Sequence, residues 1–139
     1  MDRPIFHLSF PVLDLDAAKA FYCDVLGATV GRDNANWADI ILFGHQITLH
    51  HRPSEVLSPA QRGVRHFGAI LAWQDWVTLG EKLRHEGCAF LRPPIISNPG
   101  TAQENGKMLL CDPSDNIIEL KAYRNVWAVL GTQHQSTEA

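Results

Sequence analysis

Phe6-His7-Leu8-Ser9-Phe10 and Arg65-His66-Phe67-Gly68-Ala69 are two versions of one opening, and reading them as the start of a repeated unit decides the fold. After the first comes an amphipathic run, Asp16 to Leu26, that stops at Gly27; after the second comes another, Asp75 to Glu86, that stops at Gly87. His7 precedes its glycine by 20 positions and His66 by 21. Ala18, Phe21, Tyr22, Val25 and Leu26 recur at helical spacing in the first run, as do Trp76, Leu79 and Leu83 in the second. Asp16 and Asp75 are the expected N-caps, and Gly27 and Gly87 the left-handed residues past each end. Gly80, inside the second helix, is unfavourable by about 1 kcal/mol relative to Ala, which suggests a close helix–sheet approach.

Three strands are predicted after each helix. They are Thr29 to Arg32, Ala38 to Phe43 and Gln46 to His50 in the first copy, then Ala89 to Arg92, Lys107 to Cys111 and Asn116 to Tyr123 in the second. Gly44-His45 and Asp112-Pro113-Ser114-Asp115 supply turn residues between the last two strands of each copy. Each half is therefore βαβββ and the fold class α+β. Module one spans about 4–52, a proline-bearing linker 52–63, and module two about 64–124, all within a single domain of residues 1–131. Asn125 to Leu130, with Trp127, is apolar enough to dock. Residues 132–139 lack any pattern and are expected to be disordered.

Strand parity brings out a possible site. Side chains alternate faces along a strand, so Phe6, Leu8 and Phe10 oppose Ile5, His7 and Ser9. Ile47 and Leu49 oppose Gln46, Thr48 and His50. Phe67, Ala69 and Leu71 oppose His66, Gly68 and Ile70, and Ile118, Leu120 and Ala122 oppose Ile117, Glu119, Lys121 and Tyr123. Each strand pairs an apolar face, fit to lie under a helix, with a polar one. His7, His66 and Glu119 stand at matching points of three such strands, and two imidazoles with one carboxylate form a ligand set for a divalent metal that leaves positions open. Glu119, flanked by Ile118 and Leu120, needs a partner for its charge; a metal cation would serve, and so would a buried Arg.

Composition narrows the classes. At 45% hydrophobic, 19% charged and formal charge −3, the 139-residue chain is globular, without a basic footprint for nucleic acid and without a bilayer-length apolar run. Met1-Asp2-Arg3-Pro4 leads directly into a strand with no signal-peptide core, and Cys23, Cys88 and Cys111 have unrelated spacings. The expected location is the cytoplasm.

The ordered segments resemble the vicinal oxygen chelate superfamily, which includes glyoxalase I, bleomycin-resistance proteins, fosfomycin-resistance transferases and extradiol dioxygenases. The resemblance runs from Pro4 to Arg124 through Phe6-His7, Asp14-Leu15-Asp16, Phe21-Tyr22, Leu26-Gly27 and His66-Phe67-Gly68. Cys111-Asp112-Pro113-Ser114-Asp115-Asn116-Ile117-Ile118-Glu119-Leu120 is its most telling piece, an Asp-Pro turn leading to an acidic ligand. The resemblance implies paired βαβββ modules in a half-open mixed β-barrel with helices outside, around a divalent metal. It carries His7, His66 and Glu119 over as metal ligands, with Fe2+ favoured and Mn2+, Zn2+, Ni2+ or Co2+ as alternatives. It also implies a homodimer, in some members with exchanged halves. Glyoxalase I has a Glu on the fourth strand, where this chain offers Thr48 and His50; the departure points away from that activity and toward a three-ligand, dioxygenase-like enzyme.

His50 and Tyr123 are the candidate catalytic acid/base residues, and His50 alternatively reads as a fourth ligand or a solvated side chain beside His51. Lys121 shares the Glu119 face. Trp37, Trp73 and Trp76 read as core or interface residues, and His45 and His85 as solvated. The expected partner is a small, vicinally oxygenated molecule, without nucleic acid or membrane. Competing readings are an isomerase or lyase on an α-hydroxycarbonyl, a thiol transferase (disfavoured by the apolar Met108-Leu109-Leu110) and a metal-free ligand-binding protein.

Overall fold

The computed structural model describes residues 3–131. The tail expected to be disordered, 132–139, lies outside the described residues. The first copy comprises β1 (His7–Val12), α1 (Leu15–Ala20), β2 (Thr29–Asp33), β3 (Trp37–Leu42) and β4 (His45–His51). After α2 (Pro59–Arg62), the second comprises β5 (His66–Leu71), α3 (Trp73–His85), β6 (Phe90–Ser97), β7 (Asn105–Cys111) and β8 (Ile117–Tyr123). Each copy builds one mixed four-stranded sheet, in the orders β1-β4-β3-β2 and β5-β8-β7-β6. The α+β fold of paired βαβββ modules is thus present.

Contacts divide the chain into two compact units. One contains the described residues up to His66 together with Cys111–Ile117; the other contains Phe67–Leu110 and the described residues from Ile118 onward.

In the first unit, α1 starts two residues earlier than expected. Asp14, not Asp16, is the cap: it is extended (φ −139°, ψ 114°), and its carboxylate accepts the Ala17 N–H at 2.9 Å. Asp16 sits in the first turn, where its charge suits the helix dipole. Beyond Ala20 the chain winds more widely, as a π-helical turn over Phe21–Val25. It closes around left-handed Gly27 (φ +76°), with the Ala28 N–H donating to Tyr22 O at 2.9 Å. Leu15, Ala18, Tyr22 and Leu26 from this helix and Ala38, Ile40, Leu42, Ile47 and Leu49 from β3 and β4 are all buried.

In the second unit, α3 also starts earlier, after Ala72, with no side-chain cap; Asp75 lies within its first turn rather than before it. Trp76, Leu83, Met108, Leu110, Ile118, Leu120 and Ala122 are buried. Gly80 does mark a close approach, since a Cβ there would stand 3.3 Å from Pro94. Strand β6 runs on through Pro93-Pro94 to Ser97, beyond the expected Arg92. It is the edge strand of its sheet and its pairing to β7 shifts register twice, so the absent proline N–H groups break no central ladder.

The linker is more ordered than its composition suggested. Pro53–Glu55 forms a 3-10 turn, and α2 carries a capping box between Ser58 and Gln61. Val126–Leu130 forms another 3-10 turn, capped by Asn125. No helix among the described residues is long and apolar enough to cross a membrane.

Candidate functional site

The strand registers of the first sheet lay out its helix-free face in rows. His7, Gln46 and Ile41 stand side by side across β1, β4 and β3. Ser9, Thr48 and Asp39 form the next row, and Pro11, His50 and Trp37 the third. The intervening residues Leu8, Ile47 and Ile40 point the other way, and Ile47 and Ile40 are buried. Parity therefore puts His7 on the exposed face, where it is exposed.

Asp39 is the feature of this face that sequence reading missed. Only 1% of it is accessible, although it belongs to the face turned away from the helix. One carboxylate oxygen accepts the Thr48 hydroxyl at 2.6 Å and the other accepts Arg32 Nε at 2.7 Å. Burial pushes the Asp39 carboxyl up, but the Thr48 and Arg32 hydrogen bonds, the Arg32 charge and His7 outweigh it, so the group stays below its ordinary range. Arg32 itself is 73% exposed and lies 5.1 Å above the Trp37 ring. The available signal was a lone acid inside the apolar run Ala38-Asp39-Ile40-Ile41-Leu42.

His50 is half-buried beside Ser9, Phe10, Pro11, Arg52 and Glu55, which line an open depression with it. Its row is two rows from that of His7, which is roughly 13 Å along the strands. The His45 ring is exposed and accepts the Phe6 N–H on Nδ1 at 2.9 Å.

His66 opens β5 with its ring already oriented. Nδ1 lies 2.6 Å from the Val64 carbonyl oxygen. A carbonyl only accepts, so Nδ1 carries the proton and Nε2 is the basic nitrogen of the neutral ring. Metal-binding imidazoles commonly have their second nitrogen fixed in this way, by a backbone carbonyl.

On β8, Glu119, Lys121 and Tyr123 are half-buried and alternate with the fully buried Ile118, Leu120 and Ala122. Lys121 Nζ lies 5.5 Å from the Tyr123 ring centroid. Gly68 of β5 stands directly against the Glu119 backbone, because a Cβ there would fall on the Glu119 carbonyl oxygen. His7 and His66 belong to one compact unit and Glu119 to the other. Among the described residues no three His, Cys, Asp or Glu side chains are gathered into a group that could hold a metal ion. The donor chemistry nevertheless fits a divalent cation: an exposed imidazole, a second held as the Nδ1–H tautomer, and a carboxylate.

The Asp-Pro turn before β8 serves the fold. Buried Asp112 accepts the N–H groups of Ser114 and Asn116 at 2.8 and 2.9 Å, the Asn116 side-chain amide at 2.9 Å and the Tyr22 hydroxyl at 2.8 Å. Ser114 Oγ in turn accepts the Leu13 N–H at 2.8 Å. Desolvation, then the Asp112 charge and hydrogen bond, raise the Tyr22 phenol well above its ordinary value.

The model of the Glyoxalase/Bleomycin resistance protein/Dioxygenase superfamily matches residues 5–120. A solved glyoxalase/bleomycin resistance protein/dioxygenase from Alicyclobacillus acidocaldarius is 28% identical, with a TM-score of 0.76, over 87% of this chain and 92% of that one. A genomically encoded fosfomycin resistance protein from Listeria monocytogenes is 16% identical (TM-score 0.67), over 88% of this chain and 94% of that one. Lactoylglutathione lyase from Agrobacterium tumefaciens is 15% identical (TM-score 0.64), over 91% and 97%. At these identities the last two show the shared fold alone. No curated protein matches the chain in sequence.

Proposed function

The chain belongs to the glyoxalase/bleomycin resistance protein/dioxygenase superfamily, the vicinal oxygen chelate group, and on that premise we propose that it is a metal-dependent enzyme acting on a small, vicinally oxygenated substrate. In this reading His7, His66 and Glu119 hold the cation. The observation that carries it is the 2.6 Å contact from His66 Nδ1 to the Val64 carbonyl, which makes Nε2 the donor nitrogen. Fe2+ is favoured, with Mn2+, Zn2+, Ni2+ or Co2+ as alternatives. A divalent cation held there would supply Lewis acidity to a substrate chelating through two neighbouring oxygens and, as iron, the redox capacity for ring cleavage.

The chain's own residues then bind, orient and move protons. Glu119 is the one anionic ligand, offsetting part of the cation's charge. His50, an imidazole that can both accept and donate a proton, acts as acid/base toward the end of the substrate that reaches the Pro11–Trp37 row. Tyr123, two residues beyond Lys121 on the Glu119 face, is the second proton donor or acceptor. The reading also makes the protein a cytoplasmic homodimer. Exposed Ile5, Phe6, Val30 and Phe43 in the first unit and Leu91, Ile95 and Ile96 in the second support pairing, and light scattering that returns a monomer mass at micromolar concentration would count against it.

Within the superfamily, extradiol dioxygenase-like chemistry is our first choice and an isomerase or lyase acting on an α-hydroxycarbonyl the second. An oxygen electrode separates them. Fe(II)-loaded protein should consume oxygen with a catechol; anaerobic turnover of a hydroxycarbonyl without uptake across a panel of catechols would transfer the case to the isomerase. In either chemistry His50→Ala should lower turnover more than metal content.

A further inference from the structure

We propose that Arg32 is a specificity-determining residue that binds a carboxylate at the far end of the substrate. This deepens the functional reading above and rests on its assignment of the first sheet's exposed face to substrate.

The argument starts from an acid in an unfavourable place. Asp39 is 99% inaccessible on the face turned away from α1, and Thr48 and Arg32 each satisfy one of its oxygens. Holding a charge out of water is costly, and a well-packed apolar residue at such a position would be equally or more stable. An ion pair that served only to fasten β2 to β3 would be expected to engage the guanidinium through two nitrogens or to bury it. Here the contact is through Nε alone and the Arg32 side chain remains 73% exposed. Asp39 therefore acts on Arg32 by fixing its orientation, while the Trp37 ring, 5.1 Å below, supports its flat face. No other hydrogen bond engages the two terminal amino groups among the described residues, and their edge is the planar fork that matches a carboxylate.

Placement gives the length of the ligand. Asp39 lies on β3, where the Arg32 guanidinium reaches it from β2, while His7 lies on β1 in the neighbouring row. With β4 between them, the two positions are separated by two strand spacings across and one two-residue row along the strands, about 12 Å in all. Ile41, in the His7 row on the same face, offers apolar contact between the two ends, while Trp37 lies beyond Asp39 under the guanidinium. The substrate class is accordingly a small oxygenated head joined by a short apolar or aromatic spacer to a terminal carboxylate.

The test uses metal-free, chelator-treated protein, so it does not depend on the ligand set or on turnover. Phenylacetate, 3-phenylpropanoate and 4-phenylbutanoate are titrated by NMR alongside their uncharged amides. At least one carboxylate should bind about tenfold more tightly than its amide. Arg32→Gln should erase that preference, whereas Arg3→Gln, which removes another exposed cation of the same unit, should retain it. Arg32→Lys keeps a cation beside Asp39, so the fold is protected, and should lose most of the preference because an ammonium lacks the fork. Equal affinities for acid and amide, no measurable binding by any of the carboxylates, or a preference that survives both Arg32 substitutions would overturn the proposal. Metal content, measured separately, reports on the ligand assignment, so the failure of one is distinguishable from the failure of the other.

Discussion

The two βαβββ copies share a strand order but hold their layers together by different means. The first relies on polar locks: Tyr22 to Asp112, a second-copy turn residue that belongs to the first compact unit, and Thr48 to Asp39 to Arg32 on the face turned away from the helix. The second relies on glycine notches. Gly106 of β7 receives the Trp76 ring, Gly80 receives Pro94, and Gly68 lies against the Glu119 backbone. Trp76 adds a single polar contact, Nε1–H to Leu120 O at 2.9 Å. A duplicated topology thus fixes where strands go and leaves the cohesion of each copy to local chemistry. One copy should respond to pH and the other to volume.

The strongest test of that contrast is Gly68→Ala. The added methyl would occupy the space of the Glu119 carbonyl, so β5 and β8 must part; a loss of about 3 kcal/mol is expected in chemical denaturation. Gly106→Ala comes next. Its Cβ would lie 2.6 Å from the Trp76 ring, and about 2 kcal/mol should be lost as the indole is displaced. If both variants melt like the parent, the notches are not what holds the second copy.

Tyr22→Phe probes the first copy. It removes one donor from buried Asp112 and should cost about 1–2 kcal/mol at neutral pH. Its pH dependence is the sharper readout. The folded phenol is raised well above 10.0, so its contribution is complete below that value and is lost as pH rises toward the folded one. The parent should therefore lose stability above pH 10 by a margin absent in the Phe variant. The smallest effect is at the acid end. Asp39 is lowered from 3.8, so its contribution is present above that value and is lost as pH falls through the folded one. Asp39→Asn should flatten stability below about pH 4, while no variant in the Gly68 or Gly106 notch should alter the slope there.

Much of this architecture was legible because it follows from periodicity. Alternation along β1 and β8 assigned faces that burial bears out, whereas on β4 the polar-face Thr48 is buried with Ile47 and Leu49; Gly27 and Gly87 end their helices at positive φ, +76° and +74°. The helix starts were less visible. Asp14 and Asp16 are both good caps, and only the extended backbone at Asp14 distinguishes them. Edge placement of β6, invisible in sequence, is what tolerates Pro93-Pro94. The Arg32–Asp39–Thr48 group was missed because it depends on side chains from three strands meeting across registers, one of which contains a shift between Val30 and Asp33. The His66–Val64 contact was equally hidden, since a backbone acceptor leaves no mark on composition.

The comparison also separates two carboxylates: Glu119, which we propose holds a cation, and Asp39, which is bonded to Arg32. Elemental analysis of the parent, Glu119→Ala and Asp39→Asn proteins, each purified without chelator and reconstituted with Fe(II), tests that division. The account predicts about one metal ion per chain in the parent and in Asp39→Asn, and none in Glu119→Ala, where only two neutral imidazoles remain. Full occupancy in Glu119→Ala, or its loss in Asp39→Asn alone, would contradict it.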